Sequence, residues 1–148
     1  MKIIVCGAGE VGLNIAKQLV EEDNDVTIID ESEDLLRLIN QSLDVKTVCG
    51  KTSFPDILSK SGAEEADILI SVLENDEMNM VTCQIGHSLF KIKKKIARIR
   101  QQDYLKADWK NLYNDDNFPI DAIISPEQEV AKGIFSCLLY TSPSPRDS

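Results

Sequence analysis

Three observations place this chain in the α/β class, as a doubly wound parallel sheet with helices on both faces. Short β-branched runs alternate with segments of helical period along most of the 148 residues, which is the length of one ordinary domain. The runs at Lys2–Cys6 and Ile68–Leu73 are almost continuously apolar, as strands covered on both sides are. The first of them passes directly into a glycine-rich turn that opens a helix.

The elements follow in order. After the strand Lys2–Cys6, Val11–Glu22 carries Val11, Ile15, Leu19 and Val20 at helical spacing. Asp25–Asp30 is the second strand. Leu35–Leu43 is the second helix, with Ser32 and Glu33 near its start, and Val45–Cys49 is the third strand. Pro55–Ser61 is a short helix with Pro55 at its first position, where a missing N–H costs nothing, and Gly62 closes it. Ala66–Leu73 is the fourth strand, followed by a long helix over Glu77–Phe90. Lys95–Ile99 is the fifth strand, Asp103–Tyr113 a polar surface helix anchored by Trp109, and Asp121–Ser125 the sixth strand. A last helix over Pro126–Leu138 carries Val130, Ala131, Ile134, Phe135 and Leu138 close to one face. Repeated strand–helix–strand units imply right-handed crossovers and a Rossmann-type sheet. Tyr140–Ser148 (Y-T-S-P-S-P-R-D-S) breaks the pattern and resembles a translated adapter sequence. The domain is therefore expected over residues 1–137, truncated there, with 138–148 a non-native or disordered Ser/Pro tail.

Composition narrows the function. With 43% hydrophobic and 28% charged residues the chain is globular, and its apolar runs are far shorter than a bilayer span, so no membrane insertion is expected. The balance of 25 acids against 16 bases, net −9, argues against a nucleic-acid partner. Lys91, Lys93, Lys94, Lys95, Arg98 and Arg100 do fall within ten residues, leaving room for a local anion site; Lys91–Lys95 itself reads as a solvated turn. Cys6, Cys49, Cys83 and Cys137 are widely spaced and read as small buried hydrophobes of a reducing cytoplasm.

The chemistry centres on Gly7-Ala8-Gly9-Glu10-Val11-Gly12. Gly7 permits the sharp turn, Gly9 lets a pyrophosphate approach the backbone, and Gly12 lets the helix pack on the strand. The helix start offers N–H groups and a positive dipole end to phosphates. Asp30 ends the second strand 18 residues beyond Gly12, where a carboxylate can accept both ribose hydroxyls and repel a 2′-phosphate. An adenine nucleotide is expected, NAD or another adenosine ligand rather than NADP. Lys51 and Thr52 leave the third strand at the same sheet edge, where they line the adenine side or are plain loop residues. Leu73 and Glu74 leave the fourth strand at the crevice, and Asp76 suits an N-cap. Arg98 and Arg100 alternate with Ile99, so both point to the opposite face, where an arginine needs an anionic partner such as a phosphate. His87, mid-helix and without metal partners, is a surface or packing residue.

M-K-I-I-V-C-G-A-G-E-V-G at the start, V-T-I-I-D at Val26–Asp30, the run Gly62–Met80, K-I-A-R-I-R at Lys95–Arg100 and I-D-A-I-I-S-P-E at Ile120–Glu127 together resemble the N-terminal RCK (KTN, TrkA-N) family of potassium-transport regulators. The resemblance covers about residues 1 to 137. It implies a cytoplasmic regulatory subunit, peripheral at the inner face of the cell membrane, that binds NAD(H) or ATP/ADP. It also implies a homodimer or larger ring of paired domains beneath a membrane potassium transporter subunit. Carried over by motif, Gly7 through Val11 would hold the pyrophosphate, Asp30 the ribose, and Lys51 with Thr52 the adenosine side. Leu73 with Glu74 would border the nucleotide, and Arg98 would approach its phosphates; the role of Arg100 stays open. The family's C-terminal RCK domain is expected to be absent. A regulatory, non-enzymatic nucleotide switch is therefore the leading reading. A cofactor-binding fragment of an NAD-dependent dehydrogenase is the alternative, and a degenerate domain kept for oligomerisation a third.

Overall fold

The computed structural model of the chain describes residues 1–125. The last helix, its apolar face, the boundary at 137 and the Ser/Pro tail lie outside them. The strands are β1 (Lys2–Cys6), β2 (Asp25–Asp30), β3 (Lys46–Cys49), β4 (Ile68–Ser71), β5 (Lys94–Arg98) and β6 (Ala122–Ile124). The helices are α1 (Glu10–Glu21), α2 (Glu33–Ser42), α3 (Pro55–Lys60) and α4 (Asp76–Phe90). All six strands run parallel in one sheet of order β3-β2-β1-β4-β5-β6. The order reverses between β1 and β4, so the turns that follow these two strands flank the crevice at the topological switch point.

Register explains the continuous apolar runs. Val5 pairs with Ile28 on one side and Ile70 on the other. These three lie in a core that includes Ile15, Ala16 and Leu19 of α1 and Leu36 and Ile39 of α2. Their strand neighbours Ile4, Cys6, Ile29 and Leu69 point the other way, into a second core with Leu58 and Ile92. Side chains alternate across a strand, so β1 must be apolar at every position from Ile3 to Cys6 to fill both cores.

Two sequence expectations change. The helix expected over Asp103–Tyr113 is a pair of 3₁₀ segments, Gln102–Leu105 and Ala107–Leu112, with Trp109 off helical geometry at φ −110°. Trp109 is 54% exposed rather than an anchor. Tyr104, Leu105, Leu112 and Tyr113 pack instead against Met80, Cys83, Ala97 and Ile99. The Tyr113 hydroxyl donates to the Tyr104 carbonyl (2.8 Å), closing the pair of turns.

The lysine run is also not a solvated turn throughout. Lys95 lies on β5 and is 2% exposed. Its ammonium donates to the Ile92 carbonyl (3.0 Å) and approaches Lys93 O, His87 Nδ1 and Asp121 Oδ2 at 3.4, 3.4 and 3.5 Å. A strand that begins at Lys94 turns Lys95 inward, and Asp121 at the start of β6 meets it. His87 is thus a packing residue.

Candidate functional site

The three glycines of the turn after β1 are each required by a different geometry. Gly7 sits at φ +118°, a conformation that side chains rarely adopt. A Cβ on Gly12 would lie 1.8 Å from the Gly7 carbonyl oxygen, so α1 seats on the turn only because Gly12 has none. A Cβ on Gly9 would meet nothing within 4 Å, and the residue is exposed. Gly9 is also the N-cap of α1 in extended geometry, with no side chain to bond the first-turn N–H groups. Glu10 and Val11 open the helix, Glu10 exposed and Val11 half-buried; Ala8 is buried beneath them. The helix start therefore presents unoccupied donors to open space.

Asp30 ties this turn to the next strand. Its carboxylate accepts from the Ala8 N–H (2.7 Å) and from the Ser32 N–H (2.8 Å), one bond to each oxygen. Ser32, in turn, caps α2 by accepting from the Leu35 N–H. A carboxylate has about four acceptor positions, so Asp30 retains capacity for a ligand's hydroxyls while bracing the glycine turn.

Beside Asp30 lies a cleft of about 280 Å³, lined by Asp30, Glu31, Lys51, Thr52, Leu73, Glu74, Asn75 and Met78. Five of these residues are ones the sequence singled out. Thr52 is buried and held by a hydroxyl–hydroxyl bond to Thr82 (3.0 Å), whereas Lys51 is exposed, its ammonium 5.7 Å from the Phe54 ring centre. Three carboxylates against one ammonium make the cleft suit an uncharged group such as a nucleoside and disfavour a phosphate within it. A larger cleft, about 540 Å³, lies at the opposite edge by Lys2, Asp25, Thr27 and Lys46. Ligands of open α/β sheets bind at the carboxyl ends of the strands, which selects the smaller cleft.

The turn from β4 into α4 corrects one expectation and supplies residues the sequence reading missed. Asn75, not Asp76, is the N-cap: its side chain accepts from the Met78 N–H (2.9 Å). Asp76 points inward and accepts from the Arg100 and Gln101 N–H groups. Asn79 is fully buried and makes four hydrogen bonds, to Ser71, Leu73 (two) and Arg98. The available signal was spacing: Asp76, Asn79, Met80 and Cys83 share one helical stripe, so two polar residues lie on the face that Met80 and Cys83 bury.

Arg98 and Arg100 are not among the residues lining the cleft. Arg98 ends β5 half-buried, its carbonyl held by Asn79. Arg100 lies beyond the strand and exposed, its guanidinium donating to the Glu74 carbonyl (3.2 Å). Among the described residues, no group of His, Cys, Asp and Glu could hold a metal ion, and no helix is long and apolar enough to cross a membrane.

The TrkA-N domain family model matches residues 3–126. The chain is 49% identical over 132 residues, 89% of its length, to the Trk system potassium uptake protein TrkA of Azorhizobium caulinodans, and spans only 29% of that protein. Among solved structures it is similar to the TrkA-N domain of the Escherichia coli inner membrane protein ybaL, with a TM-score of 0.73 at 18% identity over 93% of this chain and 96% of that one. It is also similar to the GsuK channel bound to NAD, with a TM-score of 0.68 at 15% identity over 83% of this chain and 21% of that one. GsuK bound to ADP gives the same score and identity over 84% and 31%.

Proposed function

The chain belongs to the TrkA-N domain family, and from that premise we propose that it is the adenine-nucleotide-sensing regulatory domain of a potassium-uptake system. The observation that carries this reading is the Asp30 carboxylate, bonded at once to the glycine turn and to the start of the β2–α2 turn at the mouth of a nucleoside-sized cleft. In it, the pyrophosphate lies over Gly9 and the first-turn N–H groups of α1. Asp30 takes the ribose hydroxyls, and the adenosine enters the cleft between Lys51–Thr52 and Leu73–Glu74. Arg98, and Arg100 behind the Glu74 carbonyl, stand on the β5 side, where a dinucleotide's second half would extend. The names of the TrkA relative and of the GsuK structures bound to NAD and ADP support potassium transport and an adenine nucleotide in the same direction.

The reading is regulatory rather than catalytic. The cleft brings together a turn, a carboxylate and a loop that can respond to occupancy. The partner is a membrane potassium transporter subunit, reached from the cytoplasmic side through a dimer or ring of such domains. Calorimetric titration of NADH, NAD, ATP and ADP into the chain tests it. At least one should bind, and Gly9→Val should bind none while keeping its circular dichroism. A Gly9→Val protein that binds normally would remove the glycine turn from the site.

A further inference from the structure

The first turn of α4 has two sides. Asn75 and Met78 line the nucleoside cleft, while Asp76 and Asn79, one residue on from each, grip the backbone beyond β5. Asn79 is buried and spends its whole amide on joining the end of β4 to the end of β5. Its oxygen accepts from the Ser71 hydroxyl and the Leu73 N–H, both at 2.8 Å; its nitrogen donates to the Leu73 carbonyl (3.0 Å) and the Arg98 carbonyl (2.8 Å). Asp76 is 9% exposed, and its carboxylate accepts from Arg100 N (3.0 and 3.1 Å) and Gln101 N (2.8 Å). The Arg100 guanidinium closes the circuit on the Glu74 carbonyl.

The cleft wall Leu73–Asn75 and the loop Arg98–Gln101 are thus joined through one helical turn, by bonds that converge on the buried Asp76 and Asn79 side chains. Buried networks of this kind have few arrangements, because a bond lost inside leaves its partner unpaired. A ligand that shifts the wall must carry the loop with it or break buried bonds. We infer that Asp76 and Asn79 are positioning residues that couple occupancy of the cleft to the Arg98–Gln101 loop and so to the 3₁₀ layer that follows it. This rests on the nucleotide reading of the cleft. The 3₁₀ layer is then where occupancy is read out.

Amide hydrogen exchange resolved by residue, with and without saturating ADP, tests the coupling on the whole chain. ADP should slow exchange at the Arg100 and Gln101 amides by roughly fivefold or more, since opening them requires breaking a network the ligand tightens. In Asp76→Asn, at a position that does not line the cleft, ADP should still bind by calorimetry, but the ligand-dependent slowing should vanish. A merely structural Asp76 would speed exchange equally with and without ADP and leave the ratio intact, which would overturn the role assigned to it. Asn79→Asp, which keeps an oxygen for the two accepted bonds and loses both N–H donors, should uncouple the loop likewise and weaken ADP roughly tenfold by loosening Leu73. The wild-type comparison needs no variant. ADP binding without any change at Arg100 and Gln101 defeats the coupling and leaves the nucleotide site standing, whereas a wild-type chain that binds no ADP defeats the site itself.

Discussion

Asp30 does two jobs with one carboxylate, and its substitution separates them. Asp30→Ala should weaken ADP or NADH binding by about 1.5–3 kcal/mol, the usual worth of hydrogen bonds to a charged group. Asp30→Asn, which can still accept from Ala8 or Ser32, should keep more of the glycine turn's order while losing the charge-assisted part. Affinity unchanged in both variants, by calorimetry, would take the ribose away from Asp30. The glycines divide in the same way. Gly12→Ala should destabilise the fold by about 3 kcal/mol, because its Cβ has to displace the Gly7 carbonyl. Gly9→Val should leave urea unfolding almost unmoved, because its side chain enters open space. Reversal of that order in a denaturant titration would mean that the turn's roles are misassigned. All three glycines were legible in the sequence because glycine is chosen for what it lacks, and each absence has a position in the motif. Asn79 was not legible. An asparagine inside a helix looks the same whether it faces water or holds four buried partners, and only the neighbouring strands decide.

At the scale of elements, alternation of β-branched runs with helical stripes gave all six strands and α1 to α4 to within two residues at every end. Strands covered on both faces must be apolar throughout, and few other elements are. The misses share a cause. Lys91–Lys95 reads as a charge run, and charge runs are usually solvated, but β5 starts at Lys94 and turns Lys95 into the interior toward Asp121. Burial of an ammonium is tolerable only when it is paired, and its carboxylate partner comes from far along the chain: Asp121 lies 26 residues on. Removing one member of a buried ion pair typically costs about 3–5 kcal/mol, so Lys95→Ala should lower urea stability by that order. Lys93→Ala, two residues away and exposed, should change it by no more than about 0.5 kcal/mol. Equal effects of the two would show that the Lys95–Asp121 contact contributes nothing to β5–β6 pairing. The 3₁₀ layer failed for a related reason. Leu105, Trp109 and Leu112 have helical spacing, but Tyr104 and Tyr113 bond across the segment and fix two tight turns that leave Trp109 outside.

At the scale of the whole molecule, the three thiols among the described residues are enclosed unevenly, and that fixes how stability responds to alkali. Cys49 is exposed at the sheet edge, contrary to the expectation that it is buried, because β3 is an outer strand. Cys6 and Cys83 sit inside the two cores on the α4 side of the sheet. Burial pushes the Cys83 thiol up from 9.0 to about 12, and raises Cys6 well above its ordinary value. The folded chain therefore holds the Cys83 proton more tightly than the unfolded chain does. Its contribution to stability is complete below about pH 9 and is lost as the pH rises toward 12, where the unfolded thiol has ionised and the folded one is still protonated. Burial raises Tyr113 too and adds to the same trend; it lowers half-buried Lys94, which opposes it. A comparison with Cys83→Ala removes these shared terms. The wild-type chain's advantage over that variant in urea unfolding should be constant from pH 7 to about 8.5 and should shrink steadily between pH 9 and 11. An advantage that stays constant across that range would mean that the Cys83 thiolate is as well accommodated in the core as in water, and the packing of α4 on β5 would have to be looser than Cys83, Met80, Ala97 and Ile99 indicate.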